Sequence, residues 1–288
     1  MTVFNLGSIN VDHVHRVPRL PAPGETLADT GYAVGLGGKG ANMSVAIARA
    51  GGRVRHLGAV GADGGWAVER LGAEGVDTGA VATVAEATGH AVIHVDPAGE
   101  NQIVIHGGAN RALTAAMIEA GLADARPGDW LLTQAETNLV VEAAELARAR
   151  GLRIAHAAAP FDADLARAML PLADLLVLNE GEAAALAARL GHSPRLAMLA
   201  VTLGARGARL EIEGRKSELP AFAVDAVDTT GAGDTFTGYA LAGLDAGLPP
   251  EAAFRRGIAA AAIQVTRPGA AQAIPTAAEL DRFLAADR

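Results

Sequence analysis

The fold is decided by residues 175–191, LLVLNEGEAAALAARLG. The apolar run Leu175–Leu178 is typical of a buried strand, and the alanine-rich stretch Gly181–Leu190 is typical of a helix. Gly191 stands where helices commonly end in a left-handed residue. The segment is therefore one strand–helix unit of an α/β protein.

Similar units recur along the chain and predict the overall architecture. Predicted strands are Val3–Leu6, Val54–Leu57, Trp130–Thr133, Arg153–His156, Leu175–Leu178 and Met198–Leu203. Predicted helices are Ala41–Ala50, Val140–Arg150, Gly181–Leu190, Asp234–Ala246 and Pro250–Thr266. This alternation indicates a doubly wound, mostly parallel sheet with helices on both faces. Ligands of such sheets bind at the carboxyl ends of the strands.

Two regions, residues 13–36 and 88–110, look extended and lack helical patterns. In the second, Ala91–Val95 and Gln102–Ile105 flank the turn Asp96-Pro97-Ala98-Gly99, which predicts a hairpin. We expect both regions to form a small β-sheet beside an α/β domain of residues 1–12, 37–87 and 111–288. The pattern alone leaves open whether this sheet is an edge extension or a lid over an active site.

Composition narrows the class of protein. Of 288 residues, 50% are hydrophobic and 19% are charged, which is typical of a packed globular chain. The net charge of −8 disfavours nucleic acid and anionic membranes as partners, and the absence of cysteine excludes disulfides and thiolate sites. With neither a secretory pattern at the N-terminus nor an apolar run long enough to span a membrane, we expect a cytoplasmic location.

The strongest functional motif is VDTTGAGDTF at residues 227–236. Its glycines allow several backbone N–H groups to point at one place, and the predicted helix adds its positive end. Such an anion hole suits the charge on a transferring phosphoryl group. Asp234, at the start of the helix, would accept a hydroxyl proton; helix capping by this aspartate is the alternative.

A second glycine-rich segment, GLGGKGAN, covers residues 35–42. It contains G-x-G-x-x-G, but a long extended stretch separates it from the strand Val3–Leu6 and no acid follows at the required distance, which argues against a dinucleotide site. It is not a Walker A loop, since Gly40 follows Lys39. We interpret it as a turn that presents Lys39 and Asn42 to a polyhydroxy ligand.

Other strand ends carry weaker signals. Asn10 and Asp12 would bind sugar hydroxyls or form an Asx turn. The sequence NEGE at 179–182 would hold a hydrated Mg²⁺ or cap a helix. The eight histidines show no metal-ligand spacing, and we interpret them as structural.

Taken in order, these motifs resemble the ribokinase family of carbohydrate kinases. The motifs are GSINVD (7–12), PGET (23–26), GGKGAN (37–42), NEGE (179–182), TLGARG (202–207) and DTTGAGDTF (228–236). The resemblance runs from about Gly7 to Pro275, and AGEN (98–101) with HGGAN (106–110) is similar to the ribokinase branch. It implies a doubly wound domain with a β-sheet lid, and transfer of the ATP γ-phosphoryl group to a sugar hydroxyl.

The resemblance also implies roles for individual residues. Asp234 would be the base, and the amides of Gly231, Ala232 and Gly233 the anion hole. The sugar would be held by Asn10, Asp12, Gly38, Lys39, Asn42 and Glu136. Mg²⁺ and phosphate would lie at Asn179 and Glu182, with ATP against Thr202, Gly204 and Gly207. A monovalent cation, K⁺, would be bound by Asp228, Thr230, Arg267 and Gly269, partly through backbone carbonyls.

The resemblance favours D-ribose as the acceptor, with ribose 5-phosphate as product, and a homodimer formed through the lid. Another pentose, a ketohexose or a nucleoside is the alternative acceptor, and a non-catalytic sugar- or nucleotide-binding regulator is the alternative of another class. Three features depart from the family pattern. Ala157-Ala158-Ala159-Pro160 replaces Asn-Pro-Ala-Pro, the stretch between Glu182 and Thr202 is short, and Ala273 replaces a residue that is often Ser.

Overall fold

A computed structural model describes residues 1–286 of the chain. The strands β1–β13 are, in chain order, Val3–Leu6, Asn10–Arg16, Gly31–Gly37, Val54–Val60, Asp77–Thr83, Gly89–Val95, Asn101–His106, Trp130–Thr133, Arg153–Ala157, Leu175–Asn179, Met198–Thr202, Ala208–Ile212 and Arg215–Leu219. The helices α1–α9 are Lys39–Arg49, Gly65–Ala73, Ala115–Gly121, Val140–Ala149, Ala163–Met169, Glu180–Leu190, Ala232–Asp245, Pro250–Val265 and Ala277–Ala286.

The main sheet of the described chain has nine strands in the order β13-β12-β11-β10-β9-β8-β1-β4-β5. Strands from β11 to β5 run parallel, and β12 and β13 add an antiparallel edge. β1 lies between β4 and β8, so the chain winds outward from it in both directions. The predicted doubly wound sheet is confirmed, and β1 lies at its switch point, where ligands usually bind.

The small sheet has the strand order β3-β2-β6-β7. β2 pairs with β3, and β6 with β7, in antiparallel fashion, whereas the central pair β2 and β6 is parallel. The predicted hairpin is confirmed: its turn closes with the Gly99 amide donating to the Asp96 carbonyl at 3.0 Å. β2 begins at Asn10, so the small sheet starts directly after the switch-point strand.

Helices α1 and α7 pack against each other unusually closely. A Cβ atom at Gly238 would lie 2.5 Å from the Ala46 Cβ and 2.9 Å from the Met43 carbonyl oxygen. On the other side of α7, the Phe236 and Phe254 rings join α7 to α8 with centroids 5.9 Å apart. Since side chains four residues apart share a helix face, this contact also brings Asn42 and Asp234 face to face.

Two of the histidines are structural, as predicted. His56 and His156 are fully buried, and burial lowers the pKa of each to about 4, so both rings are neutral. His56 bonds to Ser44 at 2.9 Å and to the Gly7 carbonyl at 3.0 Å, which ties α1 to β1. None of the helices within residues 1–286 combines the length and apolar character that crossing a membrane requires.

Candidate active site

The site forms where the carboxyl ends of the central strands meet the start of the small sheet. Ser8 follows β1, Glu136 follows β8, Asn179 ends β10 and Thr202 ends β11. Because these strands are parallel neighbours in one sheet, their ends lie along a single edge.

The glycine-rich turn lies directly on β2. Gly38 has φ +91°, and a Cβ there would lie 2.9 Å from the Asn10 amide nitrogen and the Ser8 carbonyl oxygen. This close approach with positive φ is open only to glycine. The Glu136 carboxylate links this turn to Ser8, since its Oε2 accepts hydrogen bonds from the Ser8 hydroxyl and, at 3.0 Å, from the Lys39 amide. Glu136 therefore positions the turn, in addition to any contact with the sugar.

Asn110 positions Asn10 and was not predicted from the sequence as a site residue. Its side-chain amide donates to the Asn10 Oδ1 at 2.7 Å and to the Ile9 carbonyl at 3.3 Å, and its Oδ1 accepts from the Ile9 amide at 2.9 Å. Asn10 and Asn110 are both buried. The only sequence signal was the resemblance of HGGAN, which gave Asn110 no role.

The predicted base and the predicted sugar loop meet through one hydrogen bond. The Asn42 Nδ2 donates to the Asp234 Oδ2 at 2.9 Å, between residues 192 positions apart. Asp234 lies in the first turn of α7 and is 5% exposed. Burial raises its pKa, with the Glu136 charge adding to this, whereas Lys39 and the Asn42 hydrogen bond oppose it. A buried carboxylate with a raised pKa and one oxygen already oriented is suited to accept a proton.

Carboxylates outnumber cations around this base. The charge of Asp234 raises the pKa of Lys39, with further contributions from Glu136 and Glu182, against the opposing effect of burial. Burial raises the pKa of Asp12 to about 7, and the charges of Glu136 and Asp234 add to the shift. Asp12, Lys39, Glu136, Asp234 and Glu182 thus form one electrostatically coupled group.

The turn before α7 has the form expected of an anion hole. Gly231 caps the helix with φ +75°, and its carbonyl accepts from the Thr235 amide at 2.9 Å. Among the three expected donors, the Ala232 amide is already bonded to the Thr229 carbonyl at 3.2 Å. Within the described residues the amides of Gly231 and Gly233 have no such bond, so these two are free to bind an anion.

On the nucleotide side, Asn179 and Glu182 form a reciprocal cap on α6. The Asn179 Oδ1 accepts from the Glu182 amide at 2.9 Å, and the Glu182 Oε2 accepts from the Asn179 amide at 2.7 Å. Burial raises the pKa of Glu182, which lies near enough to Lys39 to affect it. Asn179 and Glu182 therefore cap α6 and also lie at the candidate site.

The turn expected to contact ATP follows β11. Thr202 ends that strand, Gly204 begins a short 3₁₀ turn with φ +59°, and Gly207 ends it with φ +98°. Arg206 in this turn pairs with Glu180 at 2.7 Å, which joins the ends of β10 and β11.

The loops expected to bind a monovalent cation are brought together by Asp228. Its Oδ1 accepts from the Thr230 amide at 2.9 Å and its Oδ2 from the Gly269 amide at 2.8 Å. Burial tends to raise the pKa of Asp228, but these hydrogen bonds outweigh it and the pKa is lowered. Arg267 in the second loop pairs with Glu279 at 2.7 Å.

Gln264 joins the same two loops and was missed by the sequence analysis. It is completely buried near the end of α8, and its Nε2 donates to the Thr230 carbonyl at 2.8 Å. A lone polar residue in the apolar run 258–265 was the one signal that could have pointed to it.

Comparisons with known proteins agree over nearly the whole chain. The family model described as pfkB family carbohydrate kinase matches residues 2–277. The ribokinase of Haemophilus influenzae is 38% identical over 301 residues, covering 98% of this chain and 98% of the relative. The ribokinase structure from Thermotoga maritima has a TM-score of 0.88 at 33% identity, with 99% of both chains covered. That of Arabidopsis thaliana, complexed with ribose and ATP, has a TM-score of 0.86 at 28% identity, with 98% of both chains covered.

Proposed function

The chain belongs to the pfkB family of carbohydrate kinases and is an ATP-dependent sugar kinase, and from this premise we propose that its acceptor is D-ribose. The products are then ribose 5-phosphate and ADP. The hydrogen bond from Asn42 to Asp234 is the observation that supports the proposal most directly, because it joins the buried carboxylate proposed as the base to the loop proposed to hold the sugar.

The proposed reaction needs one proton acceptor and one site for developing negative charge. Asn42 holds the Asp234 Oδ2, which leaves the Oδ1 to accept the proton of the sugar hydroxyl. The hydroxyl oxygen forms its bond to the γ-phosphorus as the bond from that phosphorus to the leaving oxygen of ADP breaks. The free amides of Gly231 and Gly233, at the positive end of α7, stabilise the charge on the transferring group.

The proposed sugar site contains polar groups that can still form hydrogen bonds to a ligand. The Asn42 Oδ1 is buried and has no hydrogen-bond partner within residues 1–286, so a sugar hydroxyl would satisfy it. Asp12 accepts hydrogen bonds from vicinal hydroxyls, and Asn10 is held by Asn110 for the same purpose. Gly38, Lys39 and Glu136 complete the set.

ATP and Mg²⁺ are proposed to bind between α6 and the turn after β11. Mg²⁺ usually keeps several waters and takes one or two protein carboxylates together with substrate phosphates. The Glu182 carboxylate beside Asn179 fits that pattern and faces a site with excess negative charge. When bound, Mg²⁺ neutralises charge on the phosphates. Thr202, Gly204 and Gly207 are proposed to line the nucleotide site.

The small sheet is proposed to be a lid that excludes water, and its open edge is proposed to form a homodimer. β7 is an edge strand exposed along its whole length, and Val104 on it is 65% exposed. An exposed apolar edge strand is a ready site for pairing with another chain. The proposal includes a cytoplasmic location, where the kinase would find its ATP.

The substitution Asp234→Asn tests the proposed base. We expect kcat to fall by about 10²–10⁴-fold, as removal of a general base typically does, while ribose still protects the protein against thermal unfolding. Asp245→Asn is the matched control, since Asp245 is also a buried acid of α7 but pairs with the chain N-terminus at 3.6 Å. Near-normal turnover by Asp234→Asn would remove Asp234 from the mechanism.

A further inference from the structure

The Gln264 side chain lies behind the turn that forms the anion hole. Its Nε2 donates to the Thr230 carbonyl at 2.8 Å and more weakly to the Ala270 carbonyl at 3.4 Å. A Cβ placed on Gly231 would lie 3.0 Å from the same nitrogen. One buried amide therefore contacts the loop before α7 and the loop after α8 immediately beside the catalytic turn.

The orientation of this amide follows from its neighbours. With the two ends exchanged, the Gln264 oxygen would lie 2.8 Å from the Thr230 oxygen with no proton between them. The donor must therefore face the two carbonyls. The Gln264 Oε1 has no hydrogen-bond partner within residues 1–286, and an unsatisfied buried polar group is destabilising. The Gln264 side chain is therefore held in place through its donor end alone, by the Thr230 and Ala270 carbonyls.

The same loops were expected to bind a monovalent cation, but three of the groups in them are poorly suited to one. Such an ion requires oxygen ligands that converge on open space, and the Thr230 carbonyl instead faces the Gln264 N–H. Both oxygens of Asp228 already accept backbone amides. Ala273 offers no hydroxyl.

We propose that the Gln264 side-chain amide takes the place of the monovalent cation and holds the anion turn in its active geometry without K⁺. The amide nitrogen supplies the positively polarised hydrogens that draw together the Thr230 and Ala270 carbonyls. Gln264 touches no substrate and is a positioning residue, which acts through Thr230 on the adjacent Gly231. This inference rests on the proposed roles of the anion turn in the kinase reaction, and it predicts that the activity does not depend on K⁺.

Activity in buffers of equal ionic strength, with K⁺, Na⁺ or choline as the only monovalent cation, tests the proposal. The wild-type protein should show the same kcat in all three. Gln264→Ala should lose about tenfold in kcat in choline, since residues that orient an active group typically contribute 10–100-fold. K⁺ should restore most of that loss, because the substitution opens space between carbonyls that are no longer bonded. The KM for ribose should change little.

Thermal unfolding without substrates gives a second readout that does not depend on which sugar is the acceptor. K⁺ should raise the Tm of Gln264→Ala relative to choline and leave the wild-type Tm unchanged, because a ligand that binds only the folded state stabilises it. Gln264→Met fills the space without a donor and should stay slow in every salt. Gln272→Ala, an exposed neighbour in the second loop, should behave as wild type.

Several results would overturn the proposal. A wild-type protein that is both activated and stabilised by K⁺ would show that the loops bind the ion after all. Wild-type turnover by Gln264→Ala in choline would show that the amide has no positioning role. Failure of ribose as acceptor would refute the proposed substrate, and the Tm comparison would still test the Gln264 inference.

Discussion

The ionisation of Asp12 should govern the pH dependence of sugar capture. Burial and the charges of Glu136 and Asp234 raise its pKa from 3.8 to about 7, and only the ionised carboxylate accepts two hydroxyl hydrogen bonds. At pH 6 about one molecule in ten would then carry the ionised form, so kcat/KM for ribose should be about tenfold lower than at pH 8. In the pH profile of kcat, the acid limb should lie at lower pH, because bound ribose favours the ionised carboxylate of Asp12.

Replacement of Asp12 by Asn separates this effect from the titration of Asp234, whose pKa is also raised. In Asp12→Asn, kcat/KM at pH 8 should fall roughly 10–100-fold, the value of a hydrogen bond to a charged group, and the acid limb near pH 7 should disappear. The assay is initial-rate ADP release across pH 5.5–8.5, with Asp124→Asn as control because Asp124 is exposed and pairs with Arg55. A wild-type profile that is flat between pH 6 and 8, or a limb unchanged in Asp12→Asn, would refute the reasoning.

Two further substitutions probe how the site is positioned. Gly238→Ala should destabilise the protein by about 1–3 kcal/mol and lower kcat, because the new Cβ would lie 2.5 Å from the Ala46 Cβ and push α1 away from α7. Urea unfolding and initial-rate measurements check this, and an unchanged free energy of unfolding would contradict the close packing. Asn110→Ala should raise the KM for ribose about tenfold with little change in kcat, because Asn10 loses a hydrogen bond; an unchanged KM would remove Asn110 from the sugar site.

The helices and strands whose residues show a strong local apolar pattern could be predicted from the sequence. Leu175–Leu178 lies within β10, and all the helices predicted from alanine-rich runs are present with ends within two residues of the prediction. The glycines that follow α1, α4, α6 and α7 adopt positive φ, as predicted: Gly51, Gly151, Gly191 and Gly247. These features depend on local periodicity and capping, which a single chain displays directly.

Elements with a weak local pattern were not predicted. β5 has no fully buried residue and is rich in Thr, Gly and Ala, and α5 has only seven residues. At the sheet edge, β12 alternates charged with apolar residues and β13 is mostly polar. Their structure depends on pairing with distant segments, and propensity alone does not reveal such pairing. The parallel contact of β2 with β6 is of the same kind.

For the site, the motifs indicated which residues matter but not how they are connected. The hydrogen bond between Asn42 and Asp234 depends on the close packing of Gly238 against Ala46, and this packing could not be predicted from the sequence. The bonding of the Ala232 amide to Thr229 removes one expected anion donor, and only the turn geometry shows it. Gln264 lies beside a site predicted from a resemblance that assigned it no role.

The most direct test of the account measures ADP release from ATP and Mg²⁺ with ribose, 2-deoxyribose, fructose, arabinose, adenosine and cytidine as acceptors. The account predicts the highest kcat/KM for ribose, ribose 5-phosphate as the product, and loss of that activity in Asp234→Asn. Phosphorylation of another acceptor in preference to ribose would contradict the proposed substrate. Absence of ADP release with every acceptor would contradict the proposed reaction itself.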